Sequence, residues 1–148
     1  MTIQRRDCLT WLSALGLATH SIAFASPDQA KLAIQTLVGD QIVQTGRVIL
    51  DIPPLIENGN SVVMTLRVES PMTQQDYVKS GHVLAEGNPL PNILSAYFTP
   101  RSGLAQVMSR VRLAENQRVW AIAQMSNGSF WRGYADTLVT TSACTEER

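Results

Sequence analysis

The sequence predicts an all-β domain, an immunoglobulin-like antiparallel β-sandwich with a short N-terminal helix in front of it. Three observations predict it. Val62, Met64, Leu66 and Val68 alternate with Val63, Thr65, Arg67 and Glu69, the period-two pattern of a strand with one buried and one solvated face. Turn-forming residues recur at short intervals, at Pro53-Pro54, Asn58-Gly59, Asn88-Pro89, Ser102-Gly103 and Asn127-Gly128. Asn127-Gly128 also separates two strand-like runs, a strong hairpin signal. Seven or so short strands at this spacing suit an immunoglobulin-like sandwich, although the cysteine pair of antibody-type domains is absent.

Residues 1–25 read as an export signal rather than as part of the domain. Arg5-Arg6 precede an apolar run from Leu9 to Ala18, and Ala23-Phe24-Ala25 supplies the small residues that signal peptidase favours, so cleavage is expected after Ala25. The run is too short to anchor the chain across a bilayer, and the paired arginines point to the twin-arginine route. Ser26 to Val38 then follows helical spacing, with apolar residues at 30, 33, 34, 37 and 38. Ser26 is the N-cap candidate, Pro27 occupies the first helical position and Gly39 is the stop.

Strand texture follows. Val48-Ile49-Leu50 and Val62–Val68 come first, and further strands are expected near residues 81–85, 96–99, 105–113, 118–125 and 130–140. The domain proper is placed at 26–140, with a C-terminal arm at 141–148 that carries Cys144. No second domain fits.

A chain of 148 residues with 45% apolar and 16% charged residues can bury one substantial core. Its formal net charge of zero offers no basic surface, so nucleic acid is not an expected partner. Loss of residues 1–25 removes Cys8 and His20 and leaves one cysteine, Cys144, and one histidine, His82. An internal disulfide is then impossible. An unpaired thiol in an oxidising compartment implies an intermolecular bond or a reactive site, against the bland alternative of a passenger in a chain end.

The common catalytic constellations fail one by one. A blue-copper site needs two histidines and a cysteine, and zinc would need carboxylates at no recognisable spacing. His82, in "SGHVLAEGNP", reads as a hydrogen-bonded or surface histidine rather than a ligand. The acidic residues Asp51, Glu57, Glu69, Asp76, Glu86, Glu115 and Asp136 stand singly, so no carboxylate pair is evident. Asn127-Gly128-Ser129 reads as a turn rather than a glycosylation acceptor, and Trp120 and Trp131 as core or cross-strand packing rather than a docking surface. Cys144 is what survives as chemistry.

The stretch from Ser70 to Trp131 carries a series of ordered elements: Ser70-Pro71-Met72-Thr73, Asp76-Tyr77-Val78-Lys79, Ala85-Glu86 with Asn88-Pro89, Phe98-Thr99-Pro100, Arg112-Leu113-Ala114 and Met125-Ser126-Asn127-Gly128-Ser129. With Gly46-Arg47-Val48 and Ile56–Asn60 added, this closely resembles SoxY, the sulfur-carrier subunit of the periplasmic thiosulfate-oxidising Sox system. The resemblance implies an immunoglobulin-like fold, twin-arginine export, and a periplasmic heterodimer with a SoxZ-like subunit. It also implies a substrate carrier rather than an enzyme, with no cofactor: sulfur species such as thiosulfate would be held on Cys144 while other Sox-type enzymes attach, oxidise and hydrolyse them.

The family arm reads Gly-Gly-Cys-Gly-Gly. Here Ser142 and Ala143 precede the thiol, and Thr145, Glu146, Glu147 and Arg148 follow it. Side chains widen the arm, and the two glutamates disfavour a thiolate and repel anionic sulfur species. The alternative expectation is therefore a non-carrier binding or accessory subunit of a periplasmic redox complex with the same fold.

Overall fold

The computed structural model describes residues 27–141, so the expected N-cap Ser26, the leader and Cys144 lie outside the described residues. One α-helix, α1 (Pro27–Val38), is followed by nine strands, with a 3-10 turn (Pro100–Ser102) between the sixth and seventh: β1 (Val43–Thr45), β2 (Val48–Asp51), β3 (Leu55–Ile56), β4 (Val62–Val68), β5 (Val78–Ala85), β6 (Asn92–Tyr97), β7 (Ala105–Val111), β8 (Gln117–Met125) and β9 (Phe130–Val139). They form two sheets. The larger runs β1-β9-β8-β5-β6 with β3 beside β9, and the smaller runs β2-β4-β7.

The longer strands pair antiparallel, as β4–β7, β5–β6, β5–β8 and β8–β9, whereas β1 and β3 run parallel to β9. Between them the chain leaves β9, contributes β2 to the other sheet and returns. Gly46 (φ 109°) and Arg47 (φ 56°) turn it out of β1. Where β2 passes β9 the sheets come very close, and a Cβ on Gly133 would lie 2.5 Å from the Val48 carbonyl oxygen. Glycine is there because only a missing side chain fits.

The alternation in β4 buries Val62, Met64, Leu66 and Val68 against Val119, Ala121, Ala123 and Met125 of β8 and Val83 and Ala85 of β5. Each fully buried aliphatic side chain is worth about 1.5–3 kcal/mol relative to exposure. The outer face of the large sheet has a second, smaller core: Leu84, Ile122 and Phe130 meet Val38 of α1, with Ile34, Leu37, Val43 and Trp120 packed around them. This is why the helical apolar stripe exists. Gly39, with its N–H on the Gln35 carbonyl at 2.8 Å, closes the helix at the expected position.

The Asn127-Gly128 hairpin forms. The Gly128 N–H bonds the Met125 carbonyl at 3.0 Å and the Met125 N–H bonds the Ser129 carbonyl at 2.9 Å. Positive φ falls on Gly128 and not on Asn127, so the connection is a turn closed by a left-handed glycine instead of the two-residue type I′ form. Asn127 serves it through its side chain, whose Oδ1 accepts from the Ser129 N–H at 3.0 Å.

Candidate functional site

The residue that sequence reasoning singles out, Cys144, lies beyond the described residues, and the structure shows what it is attached to. Thr137 is buried and donates Oγ1–H to the Gln117 carbonyl at 3.0 Å. The Val139 N–H reaches Asn116 Oδ1 at 2.6 Å. Thr140 donates its N–H to the Ile56 carbonyl at 2.9 Å and its hydroxyl to the Glu57 carbonyl at 3.0 Å. The Thr141 carbonyl then accepts from the Gly59 N–H at 2.9 Å, and the Gly59 carbonyl accepts from the Leu113 N–H at 2.9 Å. The end of β9 is thus gripped between the β3–β4 and β7–β8 connections up to Thr141.

The same end of the sandwich is braced from within. Asn88, buried, donates Nδ2–H to the Arg112 carbonyl at 2.8 Å, while its Oδ1 accepts from the Ala114 N–H at 3.0 Å and Gln117 Nε2 at 3.1 Å. Gln117 Oε1 in turn accepts from the Gly87 N–H at 2.8 Å. Both side-chain polar atoms of Asn88 have partners, and the β5–β6 and β7–β8 connections become one unit with the start of β8.

The opposite end holds most of the remaining family-like elements, and they too bond backbone. Ser126 exchanges bonds with Tyr77, N–H to carbonyl at 2.8 Å one way and Tyr77 N–H to Ser126 Oγ at 3.2 Å the other. Ser70 Oγ accepts from the Met72 N–H at 3.2 Å, and Thr73 Oγ1 accepts from the Asp76 N–H at 3.1 Å. Arg47 lies 3.8 Å from Asp76 and over the Trp131 ring at 5.0 Å. These motifs hold loops in place.

His82 is buried on the outer face of the large sheet, with Nδ1 2.9 Å from Ser95 Oγ and its ring edge-on to Tyr97 at 5.9 Å. Burial lowers its pKa below the ordinary 6.5, so the ring is neutral at pH 7. Among the described residues no three His, Cys, Asp or Glu side chains come together as a metal site. Nor is any described helix long and apolar enough to cross a membrane.

The two tryptophans part company. Trp131 faces the main core, whereas Trp120 pairs across strands with Tyr134, ring centroids 5.2 Å apart. Around Trp120 the structure assembles a cluster that the sequence reading does not anticipate: Arg118 bonded to Asp136, Arg132 over the Trp120 ring at 5.6 Å, and the indole N–H on Glu86 Oε1 at 2.7 Å. The hairpin register holds the signal. Counting outward from the turn pairs 124 with 130, 122 with 132, 120 with 134 and 118 with 136.

Compared with protein-family models, residues 34–144 match the family described as sulfur oxidation protein SoxY. The chain belongs to the SoxY family. Its fold matches the sulfur carrier protein SoxY from Chlorobium limicola f thiosulfatophilum, with a TM-score of 0.65, 22% identity, and coverage of 78% of this chain and 99% of that one. A superoxide reductase (neelaredoxin) from Ignicoccus hospitalis aligns at TM-score 0.56 and 15% identity over 79% of this chain and 95% of its own. A putative superoxide reductase from Thermotoga maritima aligns at 0.55 and 15% over 66% and 93%. At such identities these likenesses concern the SoxY fold alone. The comparison with curated proteins returns no match.

Proposed function

We propose that this SoxY-family chain is exported to the periplasm, loses residues 1–25, and there carries sulfur intermediates covalently on Cys144 as a substrate carrier partnered by a SoxZ-like subunit. The observation that carries the reading is the extent of the family match, which runs from residue 34 to 144 and so ends on Cys144 itself. The grip on Thr141 is consistent with it. A carrier needs a thiol outside the fold on a firmly rooted chain, and the three residues from Thr141 to Cys144 span at most about 11 Å.

In this role the Cys144 thiolate bonds to the outer sulfur of thiosulfate. Two electrons pass to an acceptor on a partner enzyme, leaving an S-thiosulfonate on the cysteine. Water then attacks the sulfonate sulfur, releasing sulfate and two protons and leaving a persulfide. The chain supplies the nucleophile and the tether, and partner enzymes supply the oxidant and the hydrolytic groups.

A second reading is favoured by the residues around the thiol. Glu146 and Glu147, two and three residues on from the thiol, disfavour a neighbouring thiolate and repel anions, as suits a non-carrier accessory subunit of a periplasmic redox complex. Intact-mass spectrometry after incubation with thiosulfate and Sox-type partner enzymes separates the two. Sulfur adducts on Cys144 that the partners subsequently remove support the carrier, and an unmodified chain supports the accessory subunit.

A further inference from the structure

The helix α1 does not close fully onto the outer face of the large sheet. A cleft of about 350 Å³ remains between them, floored and walled by Ile34, Val38, Val43, Trp120 and Ile122. Trp120 does not fill it because the indole is committed elsewhere: it packs on Tyr134 at 5.2 Å and donates Nε1–H to Glu86 at 2.7 Å. The volume falls within the range of small-ligand sites, which are mainly apolar with a few convergent polar groups.

The polar groups at the rim have a definite sign. Lys31 and Arg132 line the cleft with one acid, Glu86, and one Glu86 oxygen is occupied by the indole. Lys31 has Asp28 at 3.4 Å, an ion pair with both side chains in solvent that contributes little and yields easily. Arg132 lies over the Trp120 ring, and among the described residues no carboxylate pairs with it. Its guanidinium therefore keeps a fork of donors free for a carboxylate or sulfonate.

We infer that the cleft between α1 and the large sheet is a non-covalent binding site for an amphiphilic monoanion, an aliphatic or aromatic carboxylate or sulfonate whose apolar body lies between Ile34, Val38, Ile122 and Trp120 and whose head pairs with Arg132. This site stands apart from the proposed role of Cys144 and requires no cysteine chemistry. A doubly charged inorganic anion fits it poorly, because an apolar floor cannot repay the loss of its hydration.

Octanoate is a suitable probe and octanol its uncharged control, both titrated calorimetrically into the purified protein. Saturable one-to-one octanoate binding is expected, with octanol weaker. Arg132→Gln should weaken octanoate about tenfold and leave octanol unchanged, since only the charge-assisted contact is lost. Arg132 is exposed on its strand, so the variant should fold, and its thermal unfolding checks this. Absence of saturable octanoate binding, or an equal effect of Arg132→Gln on both probes, overturns the inference. A cleft that ignores octanoate in a Trp131→Phe variant whose Trp120 emission shifts on adding a SoxZ-like chain overturns it in favour of a protein interface.

Discussion

Arg118 and Asp136 face each other across β8 and β9, the guanidinium donating from Nε to Oδ1 at 2.7 Å and from Nη2 to Oδ2 at 2.9 Å. The same guanidinium lies 4.2 Å from the Tyr134 centroid and 5.5 Å from that of Trp120. A bidentate pair stacked on aromatic rings holds its geometry better than an isolated surface ion pair. It braces the hairpin that leads to Thr141.

The hydrogen bonds to Arg118 hold the Asp136 carboxyl below its ordinary 3.8. A depressed folded pKa contributes stability that is present above the unfolded value and lost as pH falls through the folded one. Asp136→Asn should therefore be less stable than wild type at pH 7, with the difference shrinking as pH drops from about 4 toward and through the folded pKa. Urea unfolding of both proteins at neutral and acid pH measures it. A pH-independent difference would assign the effect to packing.

His82 acts in a higher window. Its folded pKa lies below 6.5 because the ring is buried, so on acidification the unfolded chain takes up a proton before the folded one does. Stability should be full above about pH 6.5 and fall as pH drops from there to the folded pKa. His82→Gln keeps a hydrogen-bonding side chain beside Ser95 and should flatten this part of the profile. Denaturant midpoints at pH 7.5 and 5.5 for both proteins are the test, and an unchanged slope in the variant would remove His82 as the cause.

Gly133→Ala sets a Cβ against the Val48 backbone carbonyl, an atom that cannot swing aside. Crowding of this kind costs about 1–3 kcal/mol, so the urea midpoint should fall measurably. Retention of the wild-type midpoint would mean that β2 and β9 separate easily where they cross.

The legible part of the fold is the part with enough length to show a period. β4 announces itself through seven alternating residues, and the β8–β9 hairpin through Asn127-Gly128. β1 and β3, with three and two residues, are too short for any pattern, and their parallel pairing with β9 depends on where the chain crosses between sheets. The start of β5 at Val78 is hidden because its pairing with Met125 is decided by Ser126 and Tyr77, residues distant in sequence. Trp120 shows the same limit at a site. Core or cross-strand packing was legible for both tryptophans, but which takes which follows from their positions in the hairpin, which put them on opposite faces with Tyr134 and Arg132 as the neighbours of Trp120. Cys144 was legible by subtraction and by resemblance, since no fold rule calls for a thiol there.

The proposed carrier role makes Cys144 separable from folding. On that reading Cys144 belongs to an arm outside the domain, so Cys144→Ser should abolish covalent cargo while shifting the thermal midpoint very little, as surface substitutions usually change stability by about 0.5 kcal/mol or less. Glu146 and Glu147 supply a second handle. Nearby carboxylates disfavour the thiolate, the nucleophilic form, so replacing both with glycine should speed alkylation of Cys144 at neutral pH. The gain should be largest at low ionic strength, because salt screens charges separated by more than about 8–10 Å at ordinary concentrations. Iodoacetamide labelling followed by mass spectrometry gives both rates. Equal rates would remove the electrostatic argument, and a Cys144 that resists labelling in the native protein would overturn the carrier reading, because a thiol closed to a small electrophile is also closed to the enzymes that must load it.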